Sequence, residues 1–188
     1  MSNEDLDFTK TPAKPIPAPT PQQLESVKEE ASVGGAHLRS NGYYVAIARR
    51  ATAKVPPRDG ERHALLVIED DPDLSTLLAE IFGKAGFDVR TARNRAQINT
   101  EINKPLLPDL VLLDIMLPDA DGLQILSRLR AHPKYARLPV ILMTGKATVA
   151  DVKAGLVAGA DGYVSKPFKV SALVAAVDLV LGRPMKSA

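Results

Sequence analysis

The sequence predicts an α/β fold: a doubly wound sheet of five parallel strands, preceded by a largely disordered N-terminal arm. Three observations support this prediction. Apolar runs of about four residues recur along the chain, and such runs are typical of buried parallel strands. Segments with apolar residues at helical spacing separate the runs, as βα units require. Most of the runs end in a polar residue, at the edge where open α/β sheets bind ligands.

The composition changes near residue 60, which divides the chain into an N-terminal arm and one domain. Residues 1–62 are predicted to be a flexible, Pro-rich extension, because the prolines within 12–21 favour polyproline II and cannot build a core. Residues 63–183 contain the strand and helix signals, and residues 184–188 form a short tail. A length of 188 residues fits one ordinary domain with an extension.

One apolar run in the arm, at residues 43–48, allows more than one interpretation. It follows the turn signal Asn41-Gly42. Charged residues of 1–30 are mostly acidic, whereas 31–58 contain four Arg, one Lys and no acid. This composition favours a solvated, disordered extension. A docking or self-association segment at 43–48 and a nucleic-acid contact through the Arg side chains are the alternatives.

The first half of the domain contains two strands and two helices. The run 65–68 is the first strand, and apolar residues three and four positions apart mark the helix after it, which Gly86 closes. Residues 87–92 alternate between apolar and polar, which predicts a less buried second strand. A helix around 95–103 has the weakest pattern of the domain.

The second half repeats the alternation of strand and helix. The predicted elements are, in chain order, a strand at 109–113, a helix around 123–129, a strand at 138–143, a helix at 149–158, a strand at 161–164 and a last helix that Gly182 ends.

Polar residues stand at the ends of four predicted strands. They are Glu69, Asp70, Asp71, Asp114, Thr144 and Lys166. Because these strand ends meet at one edge of the sheet, several carboxylates, a hydroxyl and an ammonium group make a site for Mg²⁺ and a phosphoryl group. A close pair of ionised carboxylates costs on the order of 4 kcal/mol at an effective dielectric constant near 20, which a shared proton or a bound cation would offset. Asp71 is interpreted as the N-cap of the following helix.

The composition and several motifs of the sequence exclude some classes of protein. A formal net charge of +2 is too small for general nucleic-acid binding, and the absence of Cys excludes disulfides and thiol chemistry. Gly145-Lys146-Ala147 lacks the hydroxyl residue of a phosphate-binding P-loop. A phosphatase with an Asp nucleophile needs a second Asp where Met116 stands.

The pattern Glu69-Asp70, Asp114, Thr144, Lys166-Pro167 resembles the receiver domain of two-component response regulators. The resemblance covers roughly residues 63–182. It implies a flavodoxin-like sheet with strand order 2-1-3-4-5. Because the chain ends soon after this domain, we expect a single-domain regulator with an N-terminal extension.

In this interpretation Asp114 is the phosphoacceptor nucleophile, and Mg²⁺ is the cofactor. We assign Asp70 and Asp114 as direct ligands of the ion and Glu69 as acting through water. The resemblance implies that a backbone carbonyl near Met116 completes the ligand set.

The resemblance also assigns roles to residues on the last two strands. Thr144 and Lys166 would contact phosphoryl oxygens, and Lys166 would contact the Asp114 carboxylate before phosphorylation. A cis peptide bond before Pro167 would direct the Lys166 ammonium inward. Tyr163 occupies the position of the switch aromatic, which turns inward when Thr144 moves toward the phosphoryl group. An ordinary half-buried Tyr is the alternative for Tyr163.

The function predicted from these residues is a phosphorylation-dependent signalling switch. It would take a phosphoryl group from a sensor histidine kinase or a phosphotransfer protein and signal through protein–protein contacts. It would be no enzyme beyond catalysing its own phosphorylation and dephosphorylation. The alternative is an adaptor or scaffold with the receiver fold, whose output is the N-terminal arm.

Two further expectations concern partners and location. We do not expect DNA binding, because the chain ends soon after the last helix and leaves no room for an output domain. We expect a cytoplasmic protein without membrane insertion, because no apolar stretch approaches the ~20 residues that span a bilayer and the N-terminus lacks an apolar signal core.

Overall fold

The computed structural model describes residues 6–8, 45–47, 55–58, 60–145 and 149–184. In chain order, its elements are β1 (Val45–Ile47), β2 (His63–Ile68), α1 (Pro72–Lys84), β3 (Phe87–Ala92), α2 (Arg95–Ile102), β4 (Leu110–Asp114), α3 (Gly122–Ala131), β5 (Val140–Thr144), α4 (Val149–Val157), β6 (Gly162–Ser165) and α5 (Val170–Leu181). Every strand and helix predicted within the domain is present, and only their ends differ from the prediction. No helix in the described ranges is both long and apolar enough to cross a membrane.

The strands form one sheet in the order β1-β6-β5-β4-β2-β3. The strands from β2 to β6 are parallel to one another. Counted from β2, these five follow the order 2-1-3-4-5, which confirms the predicted flavodoxin-like fold. Their C-terminal ends therefore lie at one edge, with the ends of β2, β4, β5 and β6 side by side.

Two apolar layers cover the faces of the sheet, and β4 contributes to both. Val111 and Leu113 pack with α2, α3 and α4, whereas Leu110 and Leu112 pack with α1 and α5. Every residue of β4 is buried. This is why the central strands are continuous apolar runs, while the edge strand β3 alternates.

Residues at the N-terminal end of α1 determine where this helix begins. The Asp71 carboxylate accepts hydrogen bonds from the backbone N–H groups of Asp73 and Leu74, at 2.9 and 3.0 Å. Pro72 occupies the first helical turn, where its missing N–H costs nothing. The N-cap interpretation of Asp71 is confirmed, and it separates Asp71 from the two acids that precede it.

Part of the N-terminal arm adds a sixth strand to the sheet, which the sequence did not predict. β1 pairs antiparallel with β6, and Ala46 lies opposite Tyr163. Docking was one interpretation of the run at 43–48. The described part of that run, Val45–Ile47, pairs with the edge strand β6 of its own domain. Most of the arm, including the predicted polyproline II segment at 12–21, lies outside the described residues, and its flexibility stays a prediction.

A close approach between α3 and β4 depends on Gly122. Its N–H donates to the Ile115 carbonyl at 2.9 Å. A Cβ at this position would lie 2.3 Å from the Asp114 carbonyl oxygen and 2.7 Å from the Ile115 Cα. Since both of these atoms belong to the main chain, neither can move without shifting the loop that follows Asp114.

We therefore expect Gly122→Ala to lower the free energy of unfolding by roughly 1–3 kcal/mol, the usual cost of overpacking. Gly83→Ala is the matched control, because a Cβ there meets nothing within 4 Å. Because Gly83 lies within α1, the change from Gly to Ala should stabilise the protein by about 0.5–1 kcal/mol. Urea denaturation followed by circular dichroism measures the free energy of unfolding of both variants. Equal changes in the two variants would contradict the close approach at Gly122.

Candidate functional site

The site lies at the C-terminal edge of the sheet, where strand pairing brings distant residues together. Ile68, just before Glu69, pairs with Leu113, just before Asp114. Thr144 at the end of β5 pairs with Ser165, just before Lys166. Residues that are up to about a hundred positions apart in the sequence therefore meet at one edge.

Three carboxylates form a cluster at this edge. Glu69, Asp70 and Asp114 each offer an oxygen atom, and these atoms lie within 4.8 Å of one another. Glu69 and Asp114 are buried, with relative exposures of 1% and 4%, whereas Asp70 is half-buried. Among the described residues, Asp70 has no hydrogen-bond or ion-pair partner, so its carboxylate is available to a ligand.

The ammonium group of Lys166 is shared by two of the three acids. Its Nζ lies 2.6 Å from Glu69 Oε2 and 2.6 Å from Asp114 Oδ2. We predicted the contact with Asp114, but the contact with Glu69 was not predicted. No local signal marks it, because it depends on the spacing between β2 and β6 across the sheet.

Burial and pairing act in opposite directions on the charged groups of this cluster. Burial raises the pKa of Glu69, and the nearby Asp114 charge adds to this, while the contact with Lys166 lowers it; the net result is a raised pKa. Burial by itself lowers the pKa of Lys166, but its hydrogen bonds to Asp114 and Glu69 outweigh burial and raise it. One ammonium group therefore stays charged but does not fully compensate the acids around it.

The main chain after β4 holds the second oxygen of Asp114. The Met116 N–H donates to Asp114 Oδ1 at 2.9 Å, and Met116 also forms an isolated bridge with Asp121. The Met116 side chain is exposed and lies outside the cluster. The role of its carbonyl as a metal ligand stays a prediction.

Thr144 and Tyr163 both lie in the buried part of this edge. The Thr144 carbonyl accepts from the Lys166 N–H at 2.6 Å. Tyr163 is fully buried, so the half-buried alternative does not describe it. A Cβ on Gly155 of α4 would lie 2.7 Å from Leu142 Cδ1 and 3.1 Å from the Tyr163 ring, so a larger residue there would require these side chains to shift. The contact of Thr144 with a phosphoryl oxygen and the switching of Tyr163 stay predictions.

The peptide bond between Lys166 and Pro167 is cis, as the resemblance implied. The structure thus brings together Glu69, Asp70, Asp114 and Lys166, with Thr144 on the neighbouring strand. A doubly wound α/β domain with a buried carboxylate, further acids and an ammonium group at the C-terminal edge of its sheet is the class of protein that the receiver-domain resemblance predicts.

Comparison with known families agrees with this class. The response regulator receiver domain family matches residues 65–178, which is more than half of the chain. The chain therefore belongs to the receiver-domain family of two-component response regulators.

Curated relatives and solved structures support the same assignment. The DNA-binding response regulator MtrA of Mycolicibacterium smegmatis is 41% identical over 125 residues, which are 66% of this chain and 53% of MtrA. RpaA of Synechocystis, a DNA-binding master transcriptional regulator, is 37% identical over 63% of this chain and 49% of its own length. The receiver domain of a Francisella response regulator is 26% identical with a TM-score of 0.60, covering 64% of this chain and 98% of that domain.

These relatives correct one expectation. We expected no DNA binding from the place where the chain ends, yet relatives that match it are DNA-binding response regulators. That expectation is wrong, because the chain spans about half the length of these relatives and its last residue says nothing about output.

The shared ammonium group makes a prediction about stability and pH. Lys166→Met leaves two buried carboxylates without their cation, so we expect the free energy of unfolding at neutral pH to fall by roughly 1–3 kcal/mol. The loss should shrink in acid. The raised pKa of Glu69 means that its folded form takes up a proton at a higher pH than a free Glu, which removes the repulsion.

In the unsubstituted protein the stability that comes from the raised pKa of Lys166 is fully present at neutral pH, below the ordinary pKa of Lys, and is lost as the pH rises through the raised pKa. The control is Lys104→Met, which removes a more exposed ammonium group paired with Glu101. It should cost less than about 1 kcal/mol. Urea titrations at neutral and acidic pH without Mg²⁺ measure both variants; a Lys166→Met protein as stable as its parent at neutral pH would contradict the shared contact.

Proposed function

We propose that this protein is a phosphorylation-dependent signalling switch, in which Asp114 accepts a phosphoryl group from a histidine kinase or a phosphotransfer protein. The geometry of Asp114 carries the proposal. Its Oδ1 accepts from the Met116 N–H and its Oδ2 from the Lys166 ammonium group. The carboxylate is thus held in one orientation beside two further acids, at a sheet edge where ligands bind.

In the proposed reaction a carboxylate oxygen of Asp114 attacks the phosphorus atom of the donor. The new O–P bond replaces the P–N bond of a phosphohistidine, and the histidine nitrogen leaves with the electron pair of that bond. The product is an acyl phosphate, the aspartyl-phosphate class of intermediate. Hydrolysis by water restores the carboxylate and releases phosphate. We propose no chemistry on any other substrate.

The residues present fit Mg²⁺ as the cofactor. Three carboxylates face one ammonium group, so the ionised cluster keeps an excess of negative charge. Mg²⁺ prefers oxygen ligands and keeps several waters, so few protein ligands suffice. Asp70 and Asp114 would hold the ion directly and Glu69 through water, with the Met116 carbonyl as a further ligand. The bound ion would neutralise charge on the phosphoryl oxygens.

Side chains at the strand ends would position the phosphoryl group. Lys166 would exchange its contact with Asp114 for a phosphoryl oxygen, and Thr144 would donate a hydroxyl hydrogen bond to another. Tyr163, already buried beneath α4, would stay inward in the phosphorylated form and set the shape of the surface around α4, β6 and α5. The similarity to DNA-binding response regulators supports transcription as the process that this signal controls.

The first test is direct phosphorylation. We expect incubation with Mg²⁺ and a small acyl phosphate donor to add the mass of one phosphoryl group, as seen by intact-protein mass spectrometry. Asp114→Asn should abolish the addition, because an amide is not a nucleophile of this kind. Asp88→Asn, at an exposed position on β3, is the control and should be modified like the unsubstituted protein. Addition to the Asp114→Asn variant, or none to a folded unsubstituted protein that binds Mg²⁺, would overturn the proposal.

The second test concerns the cation. Asp70→Asn should weaken Mg²⁺ binding by about tenfold or more, a free-energy change on the order of 1.4 kcal/mol. Its effect on folding should be small, because no described residue depends on the Asp70 carboxylate. Asp73→Asn, an exposed acid in the first turn of α1, is the matched control. Isothermal titration calorimetry measures both variants, and equal Mg²⁺ affinities would exclude Asp70 as a ligand.

A further inference from the structure

The described residues Leu6, Asp7 and Phe8 pack on the surface of the domain, against residues that are far from them in the sequence. Phe8 is 2% exposed and belongs to the apolar layer that contains α2 and α3. Leu6 packs against the same layer. The groove that holds them, which we call the α2–α3 groove, includes Asn99, Asn103, Ile125 and Arg128.

The groove binds the main chain of all three residues. The Phe8 N–H donates to Asn99 Oδ1 at 3.0 Å, and Asn103 Nδ2 donates to the Leu6 carbonyl at 2.6 Å. The Arg128 guanidinium donates to the Asp7 carbonyl. The same guanidinium lies over the Phe8 ring, 4.9 Å from its centroid, a cation–π contact. Backbone groups and one aromatic side chain are thus recognised together.

The receptor side of this contact is built into the domain. The Tyr135 hydroxyl donates to Asn103 Oδ1 at 3.0 Å, and Asn103 Nδ2 also donates to the Asn99 carbonyl at 3.0 Å. These bonds fix the orientation of the Asn103 amide before Leu6 arrives. They also explain why α2 has the weakest helical pattern: among its residues Ile98 and Ile102 are buried, and Asn99 faces the arm segment.

The segment also contacts the loop that leaves the phosphoacceptor strand. The recess beside Phe8 is lined by Ala120 and Asp121, which lie between Asp114 and α3, and by Arg95 at the start of α2. The Arg95 N–H donates to Asp119 Oδ2 at 3.0 Å, which joins α2 to the same loop. The groove is therefore continuous with the loop that holds Asp114.

We propose that Leu6–Phe8 is a tethered peptide ligand and that the α2–α3 groove is its receptor site. Three residues bury too little surface to bind tightly as a separate molecule. The covalent connection through residues 9–44 makes the binding intramolecular, with an effective concentration on the order of 1 mM. The groove thus retains the N-terminal end of the arm at the face of α2 and α3, through contacts none of which involves Asp114.

A peptide-binding experiment with the full-length chain tests the proposal. The probe is a fluorescent peptide of residues 1–12, and the receptors are the unsubstituted chain and its Phe8→Ala variant. We expect the peptide to bind the Phe8→Ala chain about tenfold more tightly than the unsubstituted chain, because the intact tethered segment competes for the groove. Fluorescence anisotropy measures the affinities, and circular dichroism checks that both chains are folded.

Two matched controls identify the contact. A peptide with Phe8→Ala should bind the Phe8→Ala chain at least about tenfold more weakly than the native peptide does. Adding Arg128→Met to the Phe8→Ala chain should weaken the native peptide similarly, whereas adding Leu77→Ala, at an exposed position on α1, should leave binding unchanged.

Three results would overturn the proposal. Equal peptide affinity for the unsubstituted and Phe8→Ala chains would show that the segment does not occupy the groove in its own chain. Absence of binding to either chain would exclude the groove as a receptor site. A dimer of the unsubstituted chain in light scattering that is lost in Phe8→Ala would place the segment on a second copy instead.

Discussion

The site depends on one ammonium group that two buried carboxylates share. Lys166 Nζ lies 2.6 Å from both Glu69 and Asp114, and Asp70 completes an acidic cluster within 4.8 Å. Each pair of ionised carboxylates at such separations repels by roughly 3–4 kcal/mol at an effective dielectric constant near 20. Lys166 offsets part of this repulsion in the folded protein. The remaining negative charge would attract a divalent cation, so the stability of the cluster and the proposed cation binding depend on the same charge balance.

The sheet makes this arrangement possible because its main chain is rigid where the charges meet. β4 is buried along its whole length, and the loop after it is held by hydrogen bonds from Met116 to Asp114 and from Gly122 to Ile115. Gly122 allows α3 to begin in contact with the Asp114 carbonyl. Burial of an acid is tolerated here since the surrounding backbone supplies donors in fixed positions.

Among the described residues, several contacts join the arm to the domain. β1 extends the sheet beside Tyr163, Val55 donates to the Leu181 carbonyl at 3.0 Å, and Phe8 fills the α2–α3 groove. Both β1 and Phe8 contact elements near the site: β1 pairs with the strand that precedes Lys166, and Phe8 lies beside the loop that follows Asp114. A change in the position of either element would therefore alter its contacts with the arm.

Sequence patterns were informative wherever a structural requirement is local. Parallel strands buried on both faces must be apolar along their length, which made β2, β4, β5 and β6 recognisable. The N-cap at Asp71 and the Gly182 that ends α5 follow from helix-end chemistry within a few residues. α2 was the weakest prediction because its apolar face is short and its Asn side chains serve contacts with a remote segment.

The sequence by itself determined the alternation of strands and helices and the identity of the polar groups at the strand ends. These features repeat with a period or stand at fixed offsets from an apolar run, so they can be seen without a structure. Only the tertiary structure decided that Lys166 is shared with Glu69, that Val45–Ile47 join the edge of β6 and that Phe8 enters the α2–α3 groove. Each of these is a contact between residues far apart in the chain, and its geometry is set by the packing of the whole sheet and its helices, which no local pattern records.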